Sequence, residues 1–84
     1  MTNKELLIKR IIYRSTHRGT KEMDLLLGSF VKNNISKFNI NTLLDLEKLL
    51  SLEDEVLSKW YFENLDNKSI FKAKVSLLLK KYKP

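Results

Sequence analysis

The sequence predicts an all-α fold, a small single-domain bundle of five short helices over residues 1–84. Three observations predict it. Apolar residues recur at helical spacing along most of the chain. One Pro and two Gly in 84 residues are too few for sheets joined by tight turns, or for disordered linkers. With 43% hydrophobic and 31% charged residues the composition is that of an ordinary globular domain, and a chain this short has interior for one core.

The elements follow in order. Lys4 to about Ser15 reads as the first helix, with Leu7, Ile8, Ile11 and Ile12 on one face and Lys9, Arg10 and Arg14 elsewhere. Tyr13 stands off that stripe, either as an exposed interface aromatic or as a ring lying over the edge of the core. Ser15 to Gly19 is a turn short enough for an antiparallel or steeply crossed helix pair. The second helix runs from about Thr20 to Lys37 on a stripe of Met23, Leu26, Leu27, Phe30, Val31 and Ile35. Gly19 is expected at its N-cap, which puts Glu22 at the third helical position, where a carboxylate complements the helix dipole. Gly28 in mid-helix costs about 1 kcal/mol relative to Ala, and close helix packing is the expected compensation.

Asn41 is expected to cap a third helix through Leu50, with Leu43, Leu46, Leu49 and Leu50 inward. Ser51-Leu52-Glu53-Asp54 fits a capping box opening a fourth helix to about Phe62. Its expected buried face is Val56, Leu57, Trp60 and Tyr61, which makes Trp60 a core residue rather than a stacking platform for a ligand. Asn64 to Lys68 is a polar break. A fifth helix from Ser69 to about Tyr82 would turn Ile70, Ala73, Leu77 and Leu78 inward, and the tail from about Lys80 to Pro84 would fray. No internal repeat and no low-complexity segment is visible.

The net charge of +6 is unevenly spread. Residues 1–40 carry +5, residues 41–67 carry −5, and residues 68–84 hold six Lys and no acid. Basic ends suit nucleic acid, anionic lipid or an acidic protein surface, or they are simply solvated helix faces. Cysteine is absent, so disulfides and thiolate metal sites are excluded. No segment approaches the ~20 apolar residues that span a bilayer. Met1 to Glu5 leads directly into a helical pattern with no secretory or transit signal, so a cytoplasmic protein is expected.

A catalytic reading finds little support. There is one His, no Cys and no Gly-rich phosphate loop. His17 has the chemistry of a general base, or it is a solvated turn residue. The acids Glu53, Asp54 and Glu55 lie at a helix start, where carboxylates favour the dipole without any metal. Binding is the better-supplied role. Arg18 and Glu22 are four residues apart across the turn into the second helix, with Gly19 bare between them. Two readings stand for these residues: a compact polar recognition patch, or a helix cap with a local ion pair.

Arg14-Ser15, Arg18-Gly19-Thr20-Lys21-Glu22, Asp24-Leu25-Leu26-Leu27-Gly28 and Phe30, taken in register, resemble the signature of the SdhE-type FAD assembly factors. These are also called succinate dehydrogenase assembly factors and occur in bacteria and mitochondria. Leu49-Leu50, Asp54 and Trp60 also stand where members carry a Leu pair, an acid and a Trp. The resemblance covers roughly residues 6–62; the last helix is similar only in character.

The resemblance implies a five-helix bundle that binds the flavoprotein subunit of succinate dehydrogenase, or of fumarate reductase, and promotes covalent attachment of FAD to it. It implies a non-enzymatic helper holding no cofactor stably, FAD being the client's. Arg18, Gly19 and Glu22 would form the client-binding patch, with Arg14, Asp24, Tyr13 and His17 beside it. Thr16 and Tyr13 stand where various members carry Trp, a departure that bears on an aromatic contact. A monomer in the bacterial cytoplasm, with no nucleic acid partner and no membrane insertion, completes the expectation. The alternative from charge alone is a small basic helical nucleic-acid-binding protein.

Overall fold

Thr2 stands in extended backbone and its hydroxyl accepts the Glu5 amide, so the chain enters α1 (Asn3–Thr16) through a side-chain cap. The computed structural model describes residues 2–68, 70 and 72–84. Four further helices follow: α2 (Lys21–Asn34), α3 (Ile40–Leu50), α4 (Asp54–Phe62) and α5 (Lys74–Lys81). A 3-10 turn at Ile35–Lys37 joins α2 to α3. The architecture is all-α, with no strand among the described residues.

The first two stripes build the centre of the core. Leu7 and Ile11 of α1 meet Met23, Leu26, Leu27, Phe30 and Val31 of α2, all of them buried. Leu43, Leu46, Leu49 and Leu50 of α3 close the other side, joined by Phe38 and Leu57. α1 packs on both α2 and α3, and α5 lies against α3. Burial of these side chains, about 1.5–3 kcal/mol each, is the main force holding five helices too short to persist alone.

Several boundaries differ from the sequence reading. Thr20, not Gly19, caps α2, because its hydroxyl accepts the Met23 amide and glycine has no group to offer. Asn39, not Asn41, caps α3: its Oδ1 accepts the Thr42 amide at 2.9 Å. α2 stops at Asn34, and the run to Lys37 tightens into the 3-10 turn. The capping box at Ser51 does not form. Ser51 instead closes α3, with its hydroxyl donating to the Lys48 carbonyl at 2.6 Å, and Glu53 precedes α4 without a side-chain cap.

The outer helices differ in facing. Of the four residues expected to bury α4, only Leu57 is fully buried; Val56, Trp60 and Tyr61 are half-buried. α4 ends where Asn64 takes the left-handed conformation (φ 56°) and the Leu65 amide reaches back to the Lys59 carbonyl. α5 begins at Lys74 and turns Val75, Ser76 and Leu79 inward against α3, leaving Leu77 and Leu78 exposed. The expected start at Ser69 itself lies outside the described residues. The segment expected to fray is tied at Tyr82. Its ring stands edge-on to Phe30, its hydroxyl accepts from Asn33, and its carbonyl accepts from the Tyr61 hydroxyl.

Candidate functional site

The turn between α1 and α2 is built by two carboxylates. Arg18 and Gly19 lie between the two helices, so their amides take part in no helical ladder and must find partners elsewhere. The Arg18 amide donates to Asp24 Oδ1 at 2.6 Å, and the Gly19 amide donates to Asp54 Oδ2 at 2.6 Å. Asp24 comes from the first turn of α2. Asp54 is the first residue of α4, where the N-terminal dipole favours a negative charge.

The Arg18 side chain turns inward, only 9% exposed. Its Nε donates to Asp54 Oδ1 at 2.6 Å, its Nη1 to the carbonyls of Leu50 at 2.7 Å and Arg14 at 3.3 Å, and its Nη2 to the Leu52 carbonyl at 2.9 Å. The guanidinium thus sits at the C-terminal end of α3, where free carbonyls carry partial negative charge. One arginine ties the α1–α2 turn to the corner between α3 and α4.

The predicted residues are therefore sorted into two groups. Arg18 and Asp24 are spent within the fold. Tyr13, Arg14, His17, Gly19 and Glu22 remain exposed. The local Arg18–Glu22 ion pair allowed by their spacing does not form, because Asp54 takes the guanidinium. The Glu22 carboxylate makes no hydrogen bond or ion pair among the described residues. The close approach to the bare Gly19 is made by Asp54 of this chain, 3.1 Å from where a Cβ would stand.

The exposed flank is aromatic. Tyr13 and His17 stack with ring centroids 3.9 Å apart and planes 17° from parallel. His17 Nδ1 lies 2.8 Å from the Tyr13 carbonyl, which can only accept, so Nδ1 carries the proton. Nε2 is then left as the other ring nitrogen. On α1, Arg10 pairs with Glu47 of α3 at 2.8 Å and Arg14 approaches the same carboxylate at 3.8 Å. The Glu47 hydrogen bond and charge raise the Arg10 pKa further above its ordinary value.

Behind the turn, an apolar groove of about 550 Å³ runs between α1 and α2. Ile12, Thr16, Leu25, Gly28 and Lys32 are among the residues that line it. Leu25 is 63% exposed and Ile12 44%, although Ile12 had been placed on the core face. The sequence reading also left Asp54 out of the site. Its partners lie 36 and 35 residues away, so no local pattern marks it; the only signal was its place in the family register. Among the described residues no cluster of His or acids is placed to hold a metal, and no helix is long and apolar enough to cross a membrane.

Comparison with known proteins bears on this turn. A family model described as the flavinator of succinate dehydrogenase matches residues 9–83, which includes the whole site and reaches into the last helix. The chain is similar to the FAD assembly factor SdhE of Acetobacter pasteurianus, 39% identical over 57 residues, 68% of this chain and 52% of that one. It is 41% identical over 61 residues to mitochondrial succinate dehydrogenase assembly factor 2 of Arabidopsis thaliana, 73% of this chain and 32% of that one. The Dictyostelium discoideum protein of the same name is 36% identical over 75 residues, 89% of this chain and 53% of that one. The chain thus spans about half or less of these relatives' length. No solved structure matches it.

Proposed function

The chain belongs to the family described as the flavinator of succinate dehydrogenase, and from that premise we propose that it is an assembly factor for the flavoprotein subunit of that enzyme. It binds the subunit one-to-one in the bacterial cytoplasm and promotes covalent attachment of FAD there. The corresponding subunit of fumarate reductase is a second client of the same kind. The chain does not catalyse the bond-forming step; the client's own residues and its FAD do.

One observation carries this reading: Glu22 is left free and exposed beside a turn whose other two carboxylates are consumed in holding its shape. A fixed turn presenting one unpaired carboxylate, a bare glycine and a stacked Tyr13–His17 pair suits docking on another protein. The same turn does not suit a dinucleotide phosphate. Its two free-standing amides, the groups that would cradle a phosphate, already donate to Asp24 and Asp54, and those carboxylates would repel an anion. This supports FAD remaining with the client.

The role follows from positioning. Covalent flavin attachment needs the ring, the client's acceptor residue and charge-stabilising groups held together, and orientation alone can contribute several kcal/mol. A helper that grips the client's cofactor-binding elements supplies that order and then leaves.

The test is co-expression of the flavoprotein subunit with and without this chain, reading flavin fluorescence of the denatured subunit on a gel. Fluorescence should rise with the chain present and fall back with Glu22→Ala while the variant keeps its helical circular dichroism. Equal fluorescence with and without the chain would reject the proposal. Tight, steeply salt-dependent binding to random duplex, with no capture of the subunit, would favour the nucleic-acid alternative.

A further inference from the structure

We propose that Asp54 is the positioning residue of the docking turn: from the start of α4 it holds Arg18 and Gly19 so that Glu22 is offered to the client. This rests on the flavoprotein reading above and divides the labour within it. Glu22 makes the contact, and Arg18 acts through Asp54 instead of reaching the client itself.

The hydrogen bonds carry the assignment. Arg18 has five N–H groups on its guanidinium, and four hydrogen bonds run from them to its own chain. Little is left for a visitor. Each oxygen of Asp54 has its own donor, Arg18 Nε and the Gly19 amide, both at 2.6 Å. Asp54 is itself fixed, since α4 is anchored three residues on by fully buried Leu57. The turn is therefore registered against the core through one side chain reaching across from another helix. Glu22 lies one residue into α2 beyond Lys21, so its direction follows from where that turn is held. Ordering the turn before binding removes that cost from the encounter.

The experiment uses the full chain and the succinate dehydrogenase flavoprotein subunit. It measures affinity, melting temperature and the amide spectrum for the wild type, Asp54→Ala, Asp54→Asn, Asp54→Glu, Arg18→Ala, the double Arg18→Ala/Asp54→Ala variant and Glu22→Ala. At a temperature where all remain helical, Asp54→Ala should weaken binding about tenfold, the scale of a lost pre-organised contact. Its Gly19 amide proton should move upfield as the bond to the carboxylate is lost. Asp54→Glu, which restores a carboxylate, should recover much of the affinity. The double variant should bind within about twofold of its weaker parent, because both changes release the same element. If Asp54→Ala does not fold, Asp54→Asn, of the same shape, provides the comparison.

Asp54→Ala binding like the wild type while Glu22→Ala does not would overturn this inference and leave the flavoprotein reading standing. Losses that multiply in the double variant would overturn it too, since Arg18 would then contact the client on its own. If the wild type captures no flavoprotein, the functional reading falls. Amide exchange over residues 17–22 then decides whether Asp54 holds the turn, and exchange unchanged in Asp54→Ala rejects even that.

Discussion

Asp54 closes so tightly on Gly19 that a Cβ built on the glycine would stand 3.1 Å from Asp54 Oδ2. No glycine in the described chain has positive φ, so Gly19 is not required for its backbone conformation. It is required for the approach. Because both Asp54 oxygens are already bound, the carboxylate has little freedom to retreat.

Gly19→Ala should therefore lower stability by about 1 kcal/mol, the low end of overpacking costs. In a domain of this size that is about 4–8 °C in melting temperature. The cost should vanish in an Asp54→Ala background, where the obstructing oxygen is gone. Thermal melts of the two single variants and the double variant check this. Equal cost in both backgrounds would show that another contact is responsible. Gly19→Arg should keep the bundle helical yet lose capture of the flavoprotein.

What was legible in the sequence follows from where the deciding contacts lie. α1 and α2 were readable because their stripes are regular; Leu7, Ile11, Met23, Leu26 and Phe30 went where periodicity placed them. Caps were misread by one or two residues because adjacent residues offer similar chemistry, Gly19 beside Thr20 and Asn41 beside Asn39. Ile70 and Ala73 do pack against the core, but Leu77 and Leu78 were read in the wrong phase. A Leu77-Leu78-Leu79 run fits several faces, and packing against α3 selects Val75 with Leu79. The site was half legible. Arg18, Gly19 and Glu22 stand together in sequence, but which of them faces outward depends on Asp54, and only the tertiary fold brings that residue in.

Arg18→Lys should be far from conservative. A single ammonium cannot donate at once to the Asp54 carboxylate and to the Leu50 and Leu52 carbonyls, which the planar guanidinium spans. Those carbonyls, at the end of α3 and in the corner that follows it, lose their donor. A charge-assisted hydrogen bond is worth about 1.5–3 kcal/mol, and at least one is lost. Urea unfolding should show that decrease at an unchanged m-value. A midpoint matching the wild type would mean the guanidinium fork is dispensable.

Gly28→Ala should act in the opposite direction. A Cβ there would meet Thr16 Cγ2 at 3.6 Å and the Ser15 carbonyl oxygen at 3.7 Å, which is ordinary van der Waals contact. The expectation that close packing demands this glycine is not needed, since a methyl fits. Replacing a mid-helix glycine then recovers about 0.5–1 kcal/mol of helix propensity. The melting temperature should rise by a few degrees. A fall would show that α1 and α2 have no slack at Thr16.

Tyr61 gives the fold a sensitivity to alkali. Its hydroxyl donates to the Tyr82 carbonyl, and its pKa is raised, first by burial and then by neighbouring Tyr82. An unfolded tyrosine ionises near pH 10, so in the unfolded chain this phenol loses its proton before the folded one does. Between the two values the folded state binds more protons, and stability falls as pH rises. The contribution is complete below the unfolded pKa and is lost as pH climbs through the folded one. Tyr61→Phe removes both the hydroxyl and its titration. Melting temperatures of the two proteins, compared from about pH 8 to about pH 11 across the tyrosine range, should converge at the alkaline end. A difference that stays constant through that range would show that the phenol titrates alike in both states and that the tie between α4 and the C-terminal segment is insensitive to its proton.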